Sequence, residues 1–241
     1  MTPHRQRPLI TLEGAGKRYR NGKPLGWVHA LSDVTLSLPA GELTVILGPS
    51  GSGKTTLLNL VGALDRPTSG RVVVAGHDLT KLSEAELTRY RRKTVGFVFQ
   101  FFNLVPTLTA EENVRLAAEL VAHPRDPQTL LAAVGLAERA HHFPNQLSGG
   151  EQQRVAVARA LVKDPAVVLA DEPTGSLDSE TGAGVLDLLT RLARDDGRAV
   201  LLVTHNTTLV DRADGVIRLK DGRVVEQYGS DAHAAAAPAP P

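Results

Sequence analysis

An α/β fold built on a mainly parallel sheet is what this sequence predicts, and three observations predict it. Four short runs rich in Val, Ile and Leu recur along the chain: LTVIL (43–47), VGFVF (95–99), VVLA (167–170) and VLLVT (200–204). Near-continuous apolar runs of this length are the pattern of strands buried on both faces, as strands of a parallel sheet are. Segments of helical character separate them. Each run then stops at glycine or at a polar residue: Gly48, Gln100, Asp171 with Glu172, and His205. Ligands of open α/β sheets bind outside the carboxyl ends of the strands, so the four stops predict one site along one sheet edge.

Composition narrows the function classes. The chain has 241 residues, 42% hydrophobic and 22% charged, which suits one large folded domain or two small ones. A net charge of +1 leaves no polyanion footprint, so nucleic acid is not an expected partner. The absence of cysteine excludes disulfides and thiolate metal sites. The longest apolar runs, AVVLA and AVLLV, fall far short of the ~20 residues that cross a bilayer, and the start, MTPHRQRPLI, lacks the apolar core of a signal peptide. A cytoplasmic location is expected, with any work on a membrane shared with another chain.

Taken in chain order, the first run opens into GPSGSGKTT, which satisfies G-x-x-x-x-G-K-[ST] between a strand and the helical stretch TTLLNLVGAL. That context predicts a phosphate-binding loop over Gly48, Pro49, Ser50, Gly51, Ser52, Gly53, Lys54, Thr55 and Thr56. Its backbone amides curl around phosphates, Lys54 reaches the β- and γ-phosphates, and the Thr55 hydroxyl ligates Mg²⁺. RVVVAGHDL reads as a short strand and turn, and SEAELTRYRRKT as a polar helix whose basic run, Arg89, Arg91, Arg92 and Lys93, makes a solvated face. Gln100, after the second run, offers an amide oxygen to magnesium or water. Asp171, after the third, is placed to hold magnesium. Glu172, one residue on, is the candidate base that orients the attacking water, and His205, after the fourth, can hydrogen-bond the γ-phosphate. Asp221-Gly222 between two apolar runs predicts a hairpin. The Ala/Pro-rich tail, 229–241, has too little to bury and is expected to be disordered.

One stretch asks for a further explanation. In LSGGEQQRVAVARAL (147–161), Ser148 and Glu151 have the spacing of a capping box. Gly149 and Gly150, however, sit in the first turn, where glycine costs about 1 kcal/mol against alanine. Bare glycine is tolerated where a ligand or another backbone must come close, and a helix N-terminus attracts anions.

Together these motifs make the chain resemble the ATP-binding subunit of ABC transporters, over about residues 9–227. GPSGSGKTT looks like the Walker A loop, VVLADE like Walker B, LSGGE like the signature, Gln100 like the Q-loop glutamine, Ser176-Leu177-Asp178 like the D-loop and His205 like the H-loop histidine. The resemblance implies a P-loop NTPase fold: a RecA-like core with a mainly parallel sheet, an antiparallel β-subdomain and an inserted helical subdomain, about 85–163, within one nucleotide-binding domain, 1–228. It implies an ATPase using ATP and Mg²⁺, with Thr55, Gln100 and Asp171 toward the metal, and Glu172, His205, Lys54 and Gln100 in catalysis. Tyr19 would stack on adenine and Val28 would make an apolar contact, with Trp27 a nearby competitor. Two copies would pack head to tail, so that Ser148, Gly149 and Gly150 reach the γ-phosphate bound to the partner chain and Asp178 lies at the same interface. On this reading the glycines leave the helix end open to the other subunit's nucleotide.

VGFVFQFFNLVPTLTAEENV and ADEPTGSLDS look most like the macrolide-exporter, lipoprotein-release and cell-division group (MacB, LolD and FtsE), although Ser176 stands where the usual member has Asn. That group implies an integral membrane permease subunit contacted by residues 97–108, and a peripheral location on the inner face of the membrane. It allows either efflux or extraction of a substrate, or control of an extracytoplasmic process without transport.

Overall fold

The computed structural model describes residues 8–20 and 26–229. Its frame is a six-stranded sheet sandwiched between two apolar clusters, and a smaller antiparallel sheet closes one side. The chain enters through β1 (Ile10–Arg20) and β2 (Trp27–Leu38), which pair antiparallel with a break in register between Leu12 and Ala15. β3 (Leu43–Leu47) then enters the large sheet and runs into α1 (Lys54–Val61). β4 (Ser69–Val74) returns to pair with β1 and is joined by β5 (His77–Asp78), giving the order β2-β1-β4-β5. α2 (Glu84–Thr94) and β6 (Val95–Phe99) follow, then α3 (Ala110–Ala118), α4 (Pro127–Ala133) and α5 (Gly149–Leu161). The chain finishes through β7 (Val167–Asp171), α6 (Ser179–Arg194), β8 (Ala199–Thr204), β9 (Gly215–Lys220) and β10 (Arg223–Gly229).

The large sheet has the order β10-β9-β3-β8-β7-β6, with β9, β3, β8, β7 and β6 parallel and β10 antiparallel at the edge. Its strands are apolar throughout because both faces are covered. Along β3, Val45 and Leu47 enter the cluster formed with α3 to α6, while Ile46 enters the cluster formed with α1, α2 and the antiparallel sheet. β8 divides its residues the same way, Val200 and Leu202 to one side and Leu201 and Val203 to the other. Period-two alternation is present, but hydrophobic residues fill both phases.

Register places the strand ends together. Leu47 pairs with Thr204, Asp171 with Val203, and Phe99 with Asp171, so β3, β8, β7 and β6 end at one edge. Of the stretch 85–163 expected as a helical subdomain, α2 and β6 pack with the central sheet, and α3, α4 and α5 cluster together beyond it. The hairpin at Asp221-Gly222 forms as expected, both residues at positive φ (49° and 75°). Gly229 closes β10; the rest of the Ala/Pro-rich tail, 230–241, lies outside the described residues.

α2 is tied to the helix that follows the phosphate loop by one buried contact. The Tyr90 hydroxyl donates to the Val61 carbonyl at 2.7 Å, at the C-terminal end of α1 where helix carbonyls have no partner of their own. Its ring meets His77 edge-on, 5.8 Å between centroids. Tyr90→Phe leaves that carbonyl buried and unpaired and is expected to cost about 1–2 kcal/mol in urea unfolding, with an unchanged m value. An unaltered midpoint would show that the bond contributes nothing.

Candidate functional site

The aligned strand ends meet a cavity of about 490 Å³. From β3 the chain turns through Gly48 to Gly53 into α1. Gly53 has φ 101°, and a Cβ there would lie 2.3 Å from the Ala30 carbonyl of β2, so only glycine brings the loop this close to its neighbour. α1 begins with no side-chain cap. The other α-helices among the described residues are each capped, by Ser83, Thr109, Asp126, Ser148 and Asp178. Among the described residues the first turn of α1 thus has no side-chain cap and lies along the cavity wall, the arrangement that receives phosphate. Lys54 is 9% exposed and donates to the Gly48 and Pro49 carbonyls at 2.8 and 3.0 Å, curling back over its own loop.

Across the cavity the Asp171 carboxylate accepts from the Thr55 hydroxyl at 3.4 Å. Burial pushes its pKa above the ordinary aspartate value; the Thr55 hydroxyl opposes that, and the neighbouring Glu172 charge adds to it. Glu172 has φ 48°, in the left-handed region, a strained setting for a glutamate. Its amide donates to the Val203 carbonyl at 2.9 Å, which holds the residue against β8. Its carboxylate accepts from Thr204 Oγ1 at 3.2 Å and meets His205 Nδ1 at 2.9 Å. Two titratable groups predicted from separate strands are thus in direct contact. A hydroxyl and a carboxylate form an all-oxygen donor pair of the kind hard cations such as Mg²⁺ take; among the described residues no side chain forms an ion pair with the half-buried carboxylate, and the Lys54 charge offsets only part of its burial.

The structure gathers some expected residues into this cavity and leaves others outside its walls. Val28, Ser50, Gly51 and Thr56 line it with those already named, while Gly48, Pro49 and Ser52 form the loop behind. Tyr19 pairs across the strands with Val28; the residue is 39% exposed, its hydroxyl donates to Asp65 at 2.7 Å, and it also bonds Thr56. Trp27 instead stacks with Arg18 and Arg20, whose guanidinium carbons lie 4.6 and 5.5 Å from its ring centre. Gln100 lies next to the edge, its amide nitrogen 3.1 Å from where a Cβ on Gly175 would stand and its carbonyl accepting from Ser176 at 3.3 Å. His29 and Ala30 of β2 also line the wall. Sequence reasoning did not find them, because nothing in a polar strand end distinguishes them from Val28.

Ser148, Gly149, Gly150 and Asp178 lie away from this cavity. Ser148 forms the expected capping box, accepting from the Glu151 amide at 3.2 Å and donating its own amide to Glu151 Oε2 at 2.8 Å. The helix end is therefore only partly open, at the amides of Gly149 and Gly150. The two glycines also differ. A Cβ on Gly149 would make only ordinary contacts, the nearest at 3.5 Å, whereas one on Gly150 would stand 1.9 Å from Thr181 Cγ2 of α6. Packing within this chain crowds Gly150, whereas nothing among the described residues crowds Gly149. Asp178 caps α6 by accepting from the Thr181 amide at 3.0 Å.

Residues 31–175 match the family model described as ABC transporter. An uncharacterized ABC transporter ATP-binding protein of Thermotoga maritima is 48% identical over 209 residues, covering 84% of this chain and 89% of its own. The macrolide export ATP-binding/permease protein MacB of Nitrobacter winogradskyi is 46% identical over 96% of this chain, which spans 36% of that relative's length. Among solved structures, the dimeric post-hydrolysis state of the ATP-binding cassette MJ0796, bound to ADP and Pi, aligns with TM-score 0.82 and 42% identity over 91% of this chain and 98% of its own.

The raised pKa of Asp171 sets a stability prediction. The unfolded chain ionises this group at lower pH than the folded one, so stability is lost as pH rises from the unfolded value through the folded one. Asp171→Asn is expected to raise the melting temperature of the metal- and nucleotide-free protein at pH 7 by about 1–3 °C, with the gain shrinking toward about pH 4. A lower melting temperature for Asn at pH 7 would contradict the assignment.

Proposed function

The chain belongs to the ABC transporter ATP-binding family and is an ABC ATPase, and from that premise we propose how its own residues hydrolyse ATP and what the hydrolysis drives. The observation that carries the reading is the Glu172–His205 contact at 2.9 Å, in the same cavity as Lys54 and Asp171. ATP enters with its phosphates against the uncapped amides of α1. Lys54 exchanges the Gly48 and Pro49 carbonyls for β- and γ-phosphate oxygens. Glu172 takes a proton from water as the water oxygen bonds to the γ-phosphorus and the bond to the β-phosphate oxygen breaks, releasing ADP and phosphate. His205 Nδ1 holds the Glu172 carboxylate in orientation while Nε2 faces the γ-phosphate. Thr55 and Asp171, with Gln100, would hold Mg²⁺, which supplies charge neutralisation on the phosphates.

The same reading makes the site composite. Tyr19 and Val28 take the adenine side, and Ser148, Gly149 and Gly150 of a second copy, with its Asp178 at the interface, close over the γ-phosphate. The open amides of Gly149 and Gly150, and the lack among the described residues of any contact that requires Gly149 to be bare, support this arrangement. Dimer closure and reopening drive a membrane permease subunit in a MacB- or LolD-like efflux or extraction system, from the inner face of the membrane. Phe101, 75% exposed beside Gln100, favours an apolar contact there, whereas Phe97 and Leu104 pack inward. No helix among the described residues is long and apolar enough to cross a membrane.

Glu172→Gln is expected to bind ATP, to lose about 10²–10⁴-fold in turnover, and to accumulate as an ATP-dependent dimer on size-exclusion chromatography. Near-normal turnover would remove Glu172 from the base role. Lys54→Ala should weaken ATP binding about tenfold or more by equilibrium titration; unchanged affinity would count against the phosphate loop.

A further inference from the structure

The loop that follows β6 is held by its carbonyls. Gln153 Nε2, from α5, donates to the Phe99 carbonyl at 3.3 Å, and the Ser176 hydroxyl donates to that of Gln100 at 3.3 Å. Arg159, three turns into α5, donates to two carbonyls in succession, Nη2 to Phe102 at 2.7 Å and Nη1 to Asn103. Farther on, the buried Asn113 side chain accepts from the Val105 amide at 2.7 Å and donates to the Leu108 and Thr109 carbonyls at 3.0 and 2.9 Å. The segment between Phe99 and Thr109 is pinned on both sides of its exposed apex, Phe101.

Arg159 stands out in this set for two reasons. Phe102 and Asn103 are consecutive non-glycine residues at positive φ, 57° and 52°, a conformation that costs energy and needs outside support. The guanidinium that supports them is half-buried, burial draws its pKa below the usual arginine value, and no carboxylate among the described residues pairs with it. A desolvated cation with two carbonyls as its acceptors is a costly way to fix a surface loop unless the position of that loop matters. The planar fork of arginine reaches two adjacent carbonyls from two separate nitrogens in a fixed geometry, where an ammonium would have to serve both from one.

The geometry points to Arg159 as a positioning residue for hydrolysis: it holds Phe102 and Asn103 so that Gln100 stays at the sheet edge in fixed relation to α5, the helix whose N-terminus presents Ser148, Gly149 and Gly150. One rigid element then sets both the glutamine on this chain's own nucleotide and the amides offered to the partner's. The inference rests on the role given to Gln100 above, and its test separates the two.

Full-length Arg159→Met, Arg159→Lys and Gln100→Ala are compared by amide hydrogen exchange, affinity for a fluorescent ATP analogue, and magnesium-dependent turnover. Arg159→Met is expected to speed exchange over residues 100–104 at least about tenfold, leaving β3, β7 and β8 unchanged. It should lower kcat about tenfold while nucleotide affinity stays within about twofold. Arg159→Lys, with one donor head for two carbonyls, should recover part of that loss, to within about threefold of wild-type kcat; if the Met variant does not fold, this intermediate loss at unchanged affinity carries the test. Wild-type exchange and kcat in either variant would overturn the inference, as would a kcat loss accompanied by faster exchange throughout the central strands. Unimpaired turnover in Gln100→Ala would instead remove Gln100 from the chemistry. An impaired Gln100→Ala beside an unimpaired Arg159→Met would sink the role of Arg159 alone.

Discussion

Everything at the site depends on the hydrogen-bond register of four parallel strands. β3, β8, β7 and β6 are paired so that Leu47, Thr204, Asp171 and Phe99 end level with one another. The residue after each end, in a phosphate loop, an imidazole, a carboxylate and a carboxamide, then falls on one edge. A slip of one residue in any pair would turn the core side chains of that strand to the wrong cluster, since Val45 and Ile46 already serve opposite faces. The two apolar clusters therefore hold the register, and the register holds the chemistry. Glu172 shows the cost: to place its carboxylate beside His205 the chain adopts a left-handed backbone immediately after β7, its amide hydrogen-bonded to the Val203 carbonyl of β8.

Helix capping divides the molecule by function in a similar way. Among the described residues side chains cap the starts of α2 to α6, α5 keeping the Gly149 and Gly150 amides open, and α1 alone has no side-chain cap. The half-buried Asp171 opposite is a carboxylate that the fold disfavours in its charged form. An open positive helix end and a destabilised anion a short distance away are both relieved by a phosphate with its cation. Stability is thereby held back in the empty protein, as is common where function needs an uncompensated group.

Much of this was legible in the sequence because each feature has a local cause. Strands buried on both faces write themselves as unbroken apolar runs, the phosphate loop carries its glycines in order, and Asp221-Gly222 announces its hairpin. What escaped depends on partners distant in sequence. The bareness of Gly149 and Gly150 reads identically along the chain, yet Gly150 answers to Thr181 of α6 and Gly149 does not. α2 looks like a polar surface helix, but Leu87 and Tyr90 bury a narrow stripe against the core. His29 lines the cavity through cross-strand placement alone, and Arg159 passes for an ordinary charge on an amphipathic helix until the carbonyls of Phe102 and Asn103 are seen beneath it.

The central claim is that one chain's cavity is completed by another chain's α5, and complementation tests it most directly. Lys54→Ala disables the phosphate loop, and Gly149→Glu places an anion at the open helix end; each variant alone should be nearly inactive. Mixed in equal amounts they form, among other pairs, a dimer in which an intact loop meets an intact helix end. If the site is composite, turnover returns to about a quarter of wild type, since half the dimers are mixed and each has one sound site. A mixture no more active than its components would contradict the account and confine hydrolysis to residues of a single chain.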